Sequence, residues 1–125
     1  MRLPKSRRMK RSSEFRRVRE KGESFRGRYL ILGVLRDENQ ETTKVGFITT
    51  KRLGNAVTRV LIRRRLRALI TELGDQIKPG LNVVTIARPL ASKASYEQLR
   101  KEWKWLGHRA KLFLPKESCE PSPAS

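Results

Sequence analysis

The chain has 125 residues, long enough for one domain and a tail but too short for two independent cores. Thirty Lys and Arg against 12 Asp and Glu give a formal charge of +18, which calls for a polyanionic partner, while 37% hydrophobic residues set the chain apart from a wholly disordered basic tail. A lone cysteine, Cys119, and a lone histidine, His108, exclude a disulfide framework and a four-ligand Cys/His zinc site, and no stretch approaches the roughly 20 apolar residues of a membrane span. The expectation is a soluble, cytoplasmic protein with no membrane partner.

Residues 1–28 hold 12 basic and 3 acidic side chains and form an electrostatic arm. Within it Ser12 or Ser13 can cap a short helix bearing Phe15 and Val18 on one side, and Gly22 should end it. From Ser24 to Leu35 a pattern rich in Tyr29, Leu30, Ile31, Leu32, Val34 and Leu35 reads as a central strand. A polar turn over 36–43 leads to a second strand, Lys44–Thr50, and the two are expected to pair as an antiparallel hairpin. Asn55 is placed to cap a helix reaching Leu73, with Gly74 as its stop. At 100° per residue, Ile62, Leu66, Leu69, Ile70 and Leu73 form one apolar stripe, and Arg59, Arg63 and Arg67 form a row beside it, with Arg64 farther round. The run LNVVTIAR is a further buried strand ended by Pro89. A last helix from about Ser95 places Leu99, Trp103, Leu106 and Ala110 on an inner face; Trp105 falls on another face with Leu112, as an exposed contact or a packing edge. Past Pro115 the pattern is that of a disordered tail.

No catalytic constellation is present: His108 has no partner motif, Cys119 sits in the tail, and the scattered carboxylates show no paired-acid or metal-binding spacing. Binding chemistry is abundant. Clustered like charges at i, i+4 cost an isolated helix a few tenths of a kcal/mol per pair, roughly, so the Arg row suggests a use, and forked guanidinium donors suit phosphate and stack on bases. A solvated charged face is the bland alternative. Phe15, Phe25 and Tyr29 are of a type that stacks on unpaired bases or, more simply, packs in a core.

Three separated segments carry a family resemblance. LPKSRRMKRSSEFRRVREKG, VGFITTKRLGNAVTRVLIRRRLRALI and NVVTIARPLASKASYEQLRKEW together resemble the bacterial ribonuclease P protein component over residues 3–114. The resemblance implies an α/β fold: a small two-layer sandwich with about four strands and helices on one face, similar to ribosomal protein S5 domain 2. Its βαβ crossover would be left-handed, against the usual rule. It implies one RNA-binding domain over 1–114, including the basic arm, and a tail over 115–125. It also implies an accessory subunit of an endoribonuclease, in which a catalytic RNA with bound magnesium removes the 5′ leader from precursor tRNA. The protein would bind both that RNA and the leader and hold neither the metal nor the catalytic groups.

Carried over by position, Lys51, Arg52, Gly54, Asn55, Arg59, Arg63, Arg64 and Arg67 would contact the catalytic RNA. Phe15, Arg19, Ile31 and Gly33 would line the leader cleft. The family's Arg-Asn-Arg signature is replaced here by Arg59, Val60 and Leu61, and two cleft positions that are often aromatic are Arg19 and Gly33. A ribosomal or other structural RNA-binding protein and a stand-alone nuclease are the alternatives.

Overall fold

The computed structural model describes residues 12–37, 39–40 and 42–114. Residues 1–11 of the basic arm, and the expected disordered tail over 115–125 with Cys119, lie outside them. Helix α1 spans Ser12–Lys21, strand β1 Glu23–Arg26, β2 Leu30–Arg36 and β3 Lys44–Ile48. Helix α2 spans Ala56–Leu73, β4 Leu81–Ala87 and α3 Tyr96–Arg109. The strands form one sheet in the order β1-β2-β4-β3. Strand β4 runs antiparallel to β2 and parallel to β3.

Two strand expectations need correction. The run from Ser24 to Leu35 is a hairpin of two strands, because the backbone turns at Gly27–Tyr29. The Gly27 N–H donates to the Leu30 carbonyl at 2.8 Å, and the Glu102 carboxylate of α3 accepts from the N–H groups of Arg28, Tyr29 and Leu30 at 3.0, 2.7 and 2.7 Å. The second correction concerns β3, which does not pair with β2. Strand β4 lies between them, and a strand buried on both faces along nearly its whole length needs a neighbour on each edge. The connection from β3 to β4 runs through α2, as a parallel pair requires.

Alternation along the strands sorts the side chains into two faces. Leu30, Leu32, Val34, Val45 and Val83 point to one face and meet the stripes of α2 and α3, including Ile62, Leu66, Leu69, Leu99 and Trp103. The Trp103 ring is fully buried and its indole N–H donates to the Thr85 hydroxyl at 3.0 Å, so the burial leaves no orphaned donor. Helix α1 lies on the opposite face, where Val18 packs on Val84 with Phe15, Leu35, Ile48 and Ile86 around them. The helices therefore do not all share one face. Gly33 and Val84 are adjacent across β2 and β4, and they leave a low spot that Val18 fills.

The helix ends follow the sequence closely. The Asn55 side chain accepts from the Thr58 N–H, and Ser95 with Gln98 forms a reciprocal capping box at the start of α3. Gly74 is right-handed, and a short 3-10 turn over Gly74–Gln76 closes α2 in place of a left-handed cap. Between α2 and α3, Glu72 accepts from Arg100 Nε at 2.7 Å and from the Tyr96 hydroxyl at 3.0 Å. No helix among the described residues is long and apolar enough to cross a membrane.

Candidate nucleic-acid interface

The loop from β3 into α2 is built to present cations. Leu53 is buried and pins a single 3-10 turn, Lys51–Leu53, so that Lys51 and Arg52 project outward. Gly54 follows with φ of 139°, a conformation L side chains rarely adopt, and a Cβ there would lie 3.3 Å from the Thr58 side chain. The identities of Gly54 and Asn55 thus have a local explanation, a tight entry and a cap, and their backbones place α2.

On α2 the stripe predicted from spacing is the buried one: Ile62, Leu66, Leu69, Ile70 and Leu73. Arg63, Arg64 and Arg67 are exposed and Arg59 is half-buried. Among the described residues none of the four forms an ion pair with a carboxylate. Arg65 has a different task, since its Nη1 donates to the Ala94 carbonyl at 2.7 Å and joins α2 to the turn before α3. At the base of this surface, Thr49 Oγ1 and Arg59 Nε are shielded from solvent and have no hydrogen-bond partner among the described residues. Val60 and Leu61 are 45% and 44% exposed, so their apolar side chains lie on the surface and outside the core.

The second surface lies on the sheet face that carries α1. Pairing registers place Arg26, Ile31, Ile86 and Ile48 in one row across all four strands, with Ser24, Gly33, Val84 and Gly46 in the next. Val18 covers the second row, and the isoleucines of the first remain half-exposed. Ion pairs set the roll of α1: Glu14 meets Lys44 at 3.2 Å and Arg17 meets Asp37 at 3.7 Å, both toward the far end of the sheet. The opposite flank of α1, about 100° or more round the helix, bears Phe15 and Arg19, and Phe15 packs with Ile48 and Ile86 around Val18 and Val84. Ile31 shares the row of Ile86 and Ile48 by register, and Arg19 is exposed. Gly33 lies under Val18 and supplies clearance in place of a contact. Sequence reasoning missed Ile48, Ile86 and Arg26, because only strand register brings them beside Ile31.

Residues 3–111 match the family model described as Ribonuclease P. The chain belongs to the ribonuclease P protein family. It is 37% identical over 112 residues to the ribonuclease P protein component of Pseudanabaena sp. (strain PCC 6903), covering 89% of this chain and 97% of that one. It is likewise 37% identical over 111 residues to that of Syntrophomonas wolfei, covering 89% and 92%. The RNase P protein of Staphylococcus aureus superposes with a TM-score of 0.81 at 26% identity over 88% of this chain and 100% of that one. The Thermotoga maritima protein, at a TM-score of 0.70 and 19% identity over 87% and 96%, shares the fold. As a ribonuclease P protein component, the chain is the protein subunit of a tRNA-processing ribonucleoprotein endoribonuclease and partners the RNase P RNA. The ribosomal and stand-alone nuclease alternatives are set aside.

Proposed function

We propose that α2 and its entry loop bind the catalytic RNA, and that the isoleucine row beside α1 holds the 5′ leader of precursor tRNA. Lys51, Arg52, Arg59, Arg63, Arg64 and Arg67 neutralise phosphates of the RNA subunit, whose affinity then falls with salt as counterions compete. Gly54 and Asn55 hold that surface in shape. Phe15 and the half-exposed isoleucines offer an unpaired leader an apolar floor, with Arg19 and Arg26 at its margins for the backbone. The RNA subunit, with magnesium bound mainly to itself, performs the cleavage. The protein lowers the magnesium needed by supplying cationic charge that would otherwise come from the ion. This work takes place in the cytoplasm, away from membranes.

The observation that carries the reading is the row of α2 arginines without carboxylate partners among the described residues. A merely solvated face would gain from interspersed acids, and α2 has no acid before Glu72. The test measures leader release from precursor tRNA at low magnesium. Protein alone should leave the precursor intact, RNA alone should cleave slowly, and the two together quickly. Cleavage by protein alone after removal of all RNA would overturn the proposal.

A further inference from the structure

We propose that the outer face of α3, centred on Trp105, is a separate stacking platform for an unpaired base of single-stranded RNA. Two tryptophans stand two residues apart on α3 with opposite fates: Trp103 is 0% exposed and Trp105 is 53% exposed. One turn after Trp105, the Arg109 guanidinium carbon sits 5.1 Å from the indole centroid, a cation–π contact that stiffens the ring and leaves its charge at the surface. One turn before it, Lys101 is exposed, and His108 and Lys111 are exposed near the helix end. Of the acids on α3, Glu102 already accepts three backbone N–H bonds from the β1–β2 turn. Glu97 stands two turns before Trp105. The local charge is therefore positive.

A flat indole held rigidly among cations is what a base with its phosphate requires. A duplex keeps its bases within its own stack, and a second copy of this chain would bring like charge to like charge. Single-stranded RNA satisfies both the ring and the cations. The platform is distinct from both surfaces described above. Helix α3 lies across the sheet from α1, and Trp105 is about 140° round the helix from Arg100, which faces α2 through Glu72. The sequence left open whether Trp105 was a contact or a packing edge shared with Leu112. Leu112 is fully buried and Trp105 is not, so the two do not share a face.

The inference rests on the RNA-binding reading only for the class of its partner. The test titrates the full chain with a short oligouridylate at low salt, following tryptophan emission and, with a labelled oligonucleotide, anisotropy. Trp103 is buried, so emission changes report Trp105. Saturable quenching is expected in the wild type, and it should persist in Arg63→Ala/Arg67→Ala and in Ile31→Glu. In the Ile31→Glu background, Trp105→Leu should weaken oligonucleotide binding about tenfold at an unchanged melting temperature, and Trp105→Tyr should restore most of it. Binding by anisotropy without quenching would overturn the platform while leaving the α2 reading intact. An emission shift that grows with protein concentration in the absence of RNA would also overturn it, by making this face a contact between copies.

Discussion

The Val18 side chain lies directly over the bare backbone of Gly33, so that a Cβ built on the glycine would come within 3.2 Å of the valine Cγ1. This close approach seats α1 on the sheet and leaves Phe15 beside Ile48 and Ile86. Gly33→Ala should therefore overpack the contact and cost about 1–3 kcal/mol. Denaturant unfolding measures the cost, and hydrogen exchange should show the loss of protection concentrated in α1. An unchanged unfolding midpoint would mean that α1 is held elsewhere.

The sequence made α2 legible because one helix displays its own periodicity: the buried stripe, the cap at Asn55 and the exposed arginines all follow from spacing along a single element. The sheet was less legible. That β4 separates β2 from β3 depends on partners distant in the chain, and the surface proposed for the leader exists only through that pairing, since Arg26, Ile31, Ile86 and Ile48 come from four strands. The side of the sheet taken by α1 was hidden for the same reason. Nothing in the local sequence announces that Glu102 will cap a turn more than 70 residues away.

Arg63 and Arg67 are exposed and make no ion pair among the described residues, so they are free to meet phosphates. Replacing either by Ala should lower the log–log salt slope of RNA binding by about one unit and leave stability within about 0.5 kcal/mol of wild type. Filter binding across a salt series, with thermal melting alongside, separates an RNA contact from a structural role.

The exposed Val60 and Leu61 stand where the family's signature has Asn and Arg. Val60→Asn with Leu61→Arg should fold as well as the wild type, within about 0.5 kcal/mol, because neither side chain is buried. Binding to the catalytic RNA should tighten, with a steeper salt dependence. A large fall in melting temperature without tighter binding would show that the signature has been remodelled.

The hydrogen bond from Arg100, then that from the Tyr96 hydroxyl, holds the Glu72 carboxyl below its ordinary range. A depressed carboxylate adds stability that is present above its unfolded pKa and lost as pH falls through the folded one, so the gain shrinks as pH drops below the ordinary carboxylate range. Glu72→Gln should melt earlier than wild type at neutral pH, and the two curves should converge in acid. Parallel curves across that range would contradict a linkage through this pair.

The Trp103 indole N–H has the Thr85 hydroxyl as its partner in a fully buried position. Thr85→Val keeps the shape and removes the acceptor, so it should cost about 1–3 kcal/mol. Chemical denaturation measures this, and a neutral result would mean that another acceptor takes the proton.

The central claim is that the sheet face beside α1 holds the leader while α2 holds the RNA subunit. The most direct measurement is the ratio of holoenzyme affinities for precursor tRNA with its 5′ leader and for mature tRNA without one, at fixed low magnesium. Ile31→Glu puts a carboxylate where the leader's phosphates would pass, and it should cut that ratio about tenfold while assembly with the RNA subunit is preserved. Arg67→Ala should weaken assembly and leave the ratio unchanged. A ratio indifferent to Ile31→Glu in a fully assembled holoenzyme would contradict the account.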